Sequence, residues 1–310
     1  MTGPDPILVT GAAGGLGGVG RTVVELLLGR ASTVRAMTHR EDERAQALRD
    51  LGAEVVVGDL TRPEDLARAL TGCRRMYFAM SVSPTYLEAA TTVATVCRAL
   101  GGLDRLVAMS QLTVSRMTAL RVDESSQQRL HWLSEQVLDW SGLPVAHVRP
   151  TVFLENPIFT GLAAASIRQD GTLALPLGSG RTSPVAAHDV ARVVAALLDE
   201  PHRHEGHVYE LTGPVSQDLT AIAAEYSRAL GRPVPYVDVA PGWWAESVLP
   251  TAGLTAHVGQ HLVTLARMHR ENRFDRHTDT VEQVTGTQAQ TVETYVAAHR
   301  DEFLPVPAHA

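Results

Sequence analysis

Ten residues near the start of the chain, Gly11 to Gly20, contain six glycines and separate two segments of different habit. Before them, Ile7-Leu-Val-Thr10 is a short apolar run that suits a strand buried on both faces. After them, Val23, Val24, Leu26, Leu27 and Leu28 lay a broad apolar face along a helix. A strand, a glycine-rich turn and an opening helix, in that order, suit a bound pyrophosphate. Glycine lets the backbone approach the phosphates, and the first helical amides aim donors and a positive dipole at them. Two registers satisfy the pattern. In one, Gly11, Gly14 and Gly17 are the spaced glycines. In the other, residues 15 to 17 are an insertion, and Gly20 lets the helix pack against the strand. Gly11, Gly14, Gly17 and Gly20 are therefore the candidate cofactor contacts in the loop.

The alternation continues for 150 residues. Strands are predicted at Thr33–Met37, Glu54–Val57, Arg75–Phe78, Arg105–Met109 and Val145–Val148. Helices are predicted at Arg44–Leu51, from Pro63 through Leu66 and Leu70, at Tyr86–Leu100, and from about Arg129 to Trp140. Strands alternating with helices in this way predict an α/β fold with a Rossmann-type, doubly wound parallel sheet covered on both faces. Beyond Arg149-Pro150 the pieces shorten: Leu173–Pro176, Ser183–Val185, a helix Val190–Leu198, a strand Val208–Leu211, a helix Ala221–Leu230, and Val234–Val239. The stretch from Trp243 to Phe303 reads as mostly helical. The chain is thus divided into an NAD(P)-binding domain over residues 1–155 and a smaller, mostly helical substrate-binding portion over 156–310, partly interleaved with the first.

Composition narrows the function. The 310 residues carry 34 acids against 27 bases, a net charge of −7, and every one of those bases is arginine. A chain with no lysine cannot form a Schiff base or build a Walker loop, and an acidic surface argues against nucleic acid as a partner. Cys73 and Cys97 are the only cysteines, too few for a disulfide scaffold or a cysteine-based zinc site. No signal-peptide pattern opens the chain and no apolar run reaches membrane-spanning length, so a cytoplasmic protein without a membrane partner is expected.

The end of the second strand bears on the choice of nucleotide. NAD-specific sites place an acid there for the ribose 2′-hydroxyl. This strand ends Met37-Thr38-His39-Arg40, and the first acid is Glu41. Arg40 suits a 2′-phosphate, because a guanidinium forks onto phosphate oxygens. NADP(H) is the expected cofactor, with NAD(H) the alternative, and Asp59-Leu60 after the third strand are expected near the adenine.

These segments resemble the atypical short-chain dehydrogenases called NmrA-like. The resemblance covers nearly the whole chain. It is carried by Thr10-Gly-Ala-Ala-Gly14, Val34-Arg-Ala36, Gly58-Asp59-Leu60, Ala69-Leu-Thr-Gly72, Leu106-Val-Ala-Met-Ser110 and Ser141-Gly-Leu-Pro144. It continues through Arg149-Pro-Thr-Val-Phe-Leu-Glu-Asn156, Tyr209-Glu-Leu-Thr-Gly-Pro214 and Gly231-Arg-Pro-Val234. It implies a Rossmann sheet with a small helical substrate domain. The family's activities are reduction of quinones and triphenylmethane dyes, and some members are redox sensors that bind nucleotide without catalysis.

Short-chain dehydrogenases generally use serine with Tyr-x-x-x-Lys. By the resemblance, the lysine position falls on His131, the tyrosine position on Gln127 and the serine position on Ser110. The usual proton donor is therefore absent, and His131, Ser110 and Gln127 are the candidate catalytic residues, with His131 also a ribose contact. A quinone or cationic dye accepts hydride without a concerted proton, which suits this set. Met80, Tyr86 and Phe153, with Phe78 and Phe159, are candidate walls of an apolar slot. Asn156 either offers its amide to a carbonyl or stabilises a turn. Trp243-Trp244 either caps the substrate pocket or packs the domain seam, and packing is the expectation. His202-Arg-His204-Glu-Gly-His207 and the pair His257 and His261 look superficially like metal sites, but neither has a full ligand set, so no metal is expected. The sequence points to an NADPH-dependent reductase of a small conjugated electrophile. The alternative is an NADP(H)-sensing regulator that binds a protein partner. Oligomeric state is left open.

Overall fold

The structure, a computed structural model, describes residues 5–14, 18–121, 124–200 and 208–304. Seven short strands pair side by side, every pair parallel: β1 (Ile7–Val9), β2 (Val34–Thr38), β3 (Glu54–Val57), β4 (Arg75–Phe78), β5 (Arg105–Met109), β6 (Val145–Pro150) and, past several other elements, Val208–Leu211. The last of these is β8, because β7 (Leu173–Leu175) precedes it in the chain and pairs instead with β9 (Tyr236–Asp238). The order across the large sheet is β3-β2-β1-β4-β5-β6-β8. It reverses direction between β1 and β4, so a crevice opens beyond the carboxyl ends of these two strands, where ligands bind in such sheets.

Ile7, Leu8 and Val9 are completely buried, as expected of a central parallel strand covered on both faces. On one face, Leu8, Met76, Phe78 and Leu106 pack against helices α3 (Pro63–Leu70), α4 (Tyr86–Leu100) and α5 (Ser126–Trp140) through Leu66, Val93 and Leu138. On the other, α1 (Val19–Gly29) packs along α7 (Ala187–Asp199), while α2 (Glu43–Asp50) lies against β3. The helix expected from about Arg129 begins earlier, at Ser126. Ser125 accepts the N–H of Gln128, and Gln128 Oε1 accepts the N–H of Ser125, a reciprocal capping box.

Two compact units divide the chain. The first comprises the described residues of Met1–Pro150, Ala187–Leu211 and Thr280–Thr287; the second those of Thr151–Ala186, Thr212–Asp279 and Gln288–Ala310. The chain leaves the sheet unit after β6, rather than at residue 155, and re-enters it twice. The second unit holds α6 (Ala163–Asp170), α8 (Leu219–Leu230), the single turn α9 (Pro241–Trp243), α10 (Ala256–Arg270), α12 (Val292–Ala298) and the small β7–β9 sheet, while α11 (Thr280–Thr285) belongs to the first. The second unit has its own core around Phe159, Ile167, Tyr226, Trp244, Leu262 and Phe303. Of Trp243 and Trp244, expected to pack, only Trp244 is buried in that core, and Trp243 is exposed.

Candidate functional site

The carboxyl edge of the first unit gathers most of the candidate residues. Thr10 ends β1, and its hydroxyl donates to the Ala79 carbonyl at 2.8 Å and accepts the Ala79 N–H at 2.9 Å, locking the turn after β1 to the end of β4. Gly11 then adopts a left-handed φ of +69°, and a Cβ there would lie 2.8 Å from the Ala79 carbonyl oxygen. Gly20, in the first turn of α1, approaches so closely that a Cβ would sit 2.7 Å from Gly11. Of the two registers, this packing is the one in which Gly20 meets the strand end. Gly14 donates its N–H to the Gly11 carbonyl at 3.1 Å. Gly17 lies outside the described residues. Gly18 precedes α1 with φ of +59°, and no described side chain caps the helix, which leaves its first amides for a ligand or water. A cradle of bare backbone against a helix N-terminus fits a dinucleotide pyrophosphate.

Beside it, β2 delivers Thr38 and then the exposed His39 and Arg40. The acids next in the chain are already engaged. Glu41 takes both nitrogens of Arg49, at 2.6 and 2.8 Å, and the Arg49 guanidinium holds its carboxyl below the usual range. Asp42 caps α2 and pairs with Arg44, which holds the Asp42 carboxyl low in the same way. Arg44 also donates to the Ala13 carbonyl at 2.9 Å, so it ties the glycine loop to α2. Sequence reasoning missed Arg44. The signal was present in Asp42, an acid placed to cap α2 and so to fix the helix's first turn beside the loop.

Asp59 does not project outward. Its carboxylate accepts the N–H and the hydroxyl of Thr61, at 2.9 and 2.8 Å, and those bonds hold its carboxyl below the usual range. Its backbone N–H goes to Asp65 at 3.0 Å. Leu60 beside it is half-buried against the α3–α4 core.

Ser110 follows β5 and is buried. Its N–H bonds the Val148 carbonyl at 2.8 Å, and its hydroxyl has no hydrogen-bond partner among the described residues. A buried hydroxyl in that state marks a place for a ligand atom or water. One residue earlier, the Met109 carbonyl accepts the Tyr86 hydroxyl at 2.6 Å. The Tyr86 ring lies on the His131 imidazole, with centroids 4.1 Å apart and planes tilted by 49°. One turn before His131 on α5, Gln127 sets its side-chain nitrogen 3.1 Å from His131 Nε2 and accepts the Ser83 N–H on its oxygen at 3.2 Å. Tyr86, Gln127 and His131 thus form one linked group at the starts of α4 and α5, and the Tyr86 hydroxyl ties it to the end of β5 one residue before Ser110. Trp132, the neighbour of His131, faces elsewhere and carries the Arg129 guanidinium over its ring at 5.0 Å.

Several candidate walls turn out to be core. Phe78 is fully buried between sheet and helices, and Tyr86 is only 1% exposed, so it backs His131 instead of lining an open slot. Met80 is half-buried at the end of β4. In the second unit, Phe159 is fully buried, and Phe153 is half-buried in a bridge to Val185. The Asn156 side chain accepts the Ile158 N–H at 3.0 Å, which is the turn-forming use of that residue. His202, His204 and His207 lie outside the described residues, and among the described residues no three His, Cys, Asp or Glu side chains gather at a metal-binding spacing. No described helix is long and apolar enough to cross a membrane.

The NAD(P)H-binding family matches residues 14–201. The NAD(P)H azoreductase of Xenophilus azovorans is 28% identical over 94% of this chain and 97% of its own. The (4-alkanoyl-5-oxo-2,5-dihydrofuran-3-yl)methyl phosphate reductase of Streptomyces griseus is 30% identical over 96% of this chain and 99% of its own. Among solved structures, the NADPH-dependent quinone oxidoreductase of Escherichia coli complexed with NADPH superposes with a TM-score of 0.80, at 23% identity, over 95% of this chain and 99% of that one. With the glycine cradle at the β1–β4 crevice, these likenesses span both units. The chain belongs to the NAD(P)H-binding family and, by the motifs it carries, to the NmrA-like atypical short-chain dehydrogenases.

Proposed function

We propose that this chain is an NADPH-dependent reductase of small conjugated electrophiles: quinones, azo or cationic dyes, imines and enones. The observation that carries the reading is that the buried Ser110 hydroxyl has no partner among the described residues while His131, beside Tyr86 and Gln127, stands on α5 with no tyrosine–lysine acid. The azoreductase, the dihydrofuranone reductase and the quinone oxidoreductase support the substrate class, since each is named for an acceptor with a conjugated double bond.

Gly11, Gly14 and Gly20 hold the pyrophosphate through backbone, and Arg40 takes the 2′-phosphate. A bound dihydronicotinamide supplies hydride. Ser110 Oγ and the His131 ring hold an acceptor oxygen or nitrogen by hydrogen bonds, which stabilise the charge that grows there. The product takes its proton from water, because such acceptors do not need it concertedly. Met80 contributes an apolar wall.

The test is NADPH oxidation against a panel of quinones, azo dyes, cationic dyes, imines and enones, with His131→Ala run in parallel. Turnover is expected, with kcat/KM for His131→Ala down about 10²-fold, the low end for a positioned donor, and NADPH affinity unchanged. Full activity in His131→Ala removes the ring from the chemistry. No turnover across the panel, with nucleotide binding intact, returns the sensing regulator.

A further inference from the structure

Gln127 stands where the resemblance expects a proton donor, yet its side chain is committed at both ends. Oε1 accepts the backbone N–H of Ser83 at 3.2 Å, and Nε2 faces His131 Nε2 at 3.1 Å. A backbone N–H can only donate, so turning the carboxamide over would set two donors against each other at Ser83. The amide nitrogen can likewise only donate. The ring nitrogen opposite it must accept, and an imidazole nitrogen accepts only when it carries no proton. Gln127 is fully buried and His131 is 5% exposed, so bulk water does not substitute for either partner. The ring is also clamped from the side by Tyr86, itself pinned through its hydroxyl to Met109.

We infer that Gln127 is a positioning residue that holds His131 as the Nδ1–H tautomer, so that any hydrogen bond the ring donates to ribose or acceptor leaves from Nδ1. A proton added at Nε2 would point at the amide N–H, and the same contact therefore opposes the imidazolium. Glu135, one turn further along α5, is taken by Arg149 at 3.0 and 2.5 Å, and the Tyr86 hydroxyl is bonded to a carbonyl. His131 is then an oriented donor whose Nε2 is taken by Gln127. The catalytic consequence rests on the function proposed above, whereas the tautomer does not.

The test is nitrogen-15 NMR of the histidine rings in the nucleotide-free protein, with the His131 signals assigned by their loss in His131→Ala. The pattern expected is a protonated Nδ1 with a bare Nε2. Gln127→Glu should reverse it, because a carboxylate only accepts and would draw the proton to Nε2; kcat should fall about tenfold with NADPH affinity retained. A protonated Nε2 in the unaltered protein overturns the inference without any variant having to fold. An unchanged tautomer in folded Gln127→Glu also overturns it, and an unchanged kcat with a reversed tautomer overturns the positioning role. A correct tautomer together with a fully active His131→Ala refutes the function proposed for the ring while leaving its orientation by Gln127 intact.

Discussion

Arg40 and Arg44 sit four residues apart and do different work. Arg40 is exposed after β2, where the nearest acid, Glu41, is occupied by Arg49 and cannot serve a ribose hydroxyl. Arg44 braces the loop through the Ala13 carbonyl while paired with Asp42. Arg40→Ala should therefore weaken NADPH about tenfold and leave NADH unchanged, since one charge-assisted contact to phosphate is lost. Arg44→Ala should weaken both nucleotides alike, because it loosens the loop that both share. Parallel titrations separate the two effects, and an equal loss of NADPH and NADH in Arg40→Ala would falsify the assignment. Residue types here were readable from sequence. Their division of labour was not, because it depends on a guanidinium reaching across 31 positions to one carbonyl.

At the scale of elements, α10 carries two buried histidines whose rings are forced to stay neutral. Burial pushes His261 down to about 4, helped by His257, and pushes His269 down to about 4 against the pull of the Leu265 carbonyl that its Nδ1 bonds. Both folded values lie below the ordinary histidine value of 6.5, so between pH 6.5 and 4 the unfolded chain binds up to two more protons than the folded one. Stability is full above about pH 6.5 and falls as pH drops toward 4, by about 1.4 kcal/mol per pH unit for each histidine. Urea unfolding followed by fluorescence at about pH 7, 6 and 5 measures the slope. His269→Leu, which keeps an apolar contact with Phe274, should remove about half of it, and an unchanged slope would show that His269 does not carry the effect. The sequence placed α10 within a mostly helical stretch and its pair His257 and His261 one turn apart. It could not say that His269 stacks on Phe274 in a core, since that depends on how the second unit closes around it.

Taken whole, the molecule is poor in side-chain nucleophiles. It has no lysine, and its only thiols are buried or half-buried. Desolvation pushes Cys73 up to about 11, despite an Arg35 nitrogen 3.4 Å from its sulfur, and Cys97 up to about 12. Thiolate is the reacting species, so neither is nucleophilic near neutral pH. Quinones, among the acceptors proposed, are strong Michael acceptors, and a chain without accessible thiolates should survive them. Incubation with benzoquinone followed by peptide mass mapping should find no cysteine adduct on the folded protein and adducts at both cysteines once it is denatured. Arylation of Cys73 at the same rate in both states would show that burial gives no protection.

On that scale, sequence alone determined the α/β class, the alternation of strands and helices and the nucleotide loop, because glycine content and the apolar periods of strand and helix act over a few neighbouring residues. The resemblance to the NmrA-like family also placed Ser110, Gln127 and His131 as candidates. What only the tertiary structure decided is how these parts meet. Gly20 packs on Gly11 because α1 begins at Val19 and crosses the end of β1 there. Tyr86, read as a pocket wall, instead covers His131, because α4 and α5 lie side by side on one face of the sheet. Asp59 folds back onto Thr61 and Asn156 onto Ile158, since a short polar side chain bonds the nearest backbone N–H before it reaches outward. Those outcomes depend on contacts between residues distant in the chain or on the local course of the backbone, and neither is encoded in residue type at a single position.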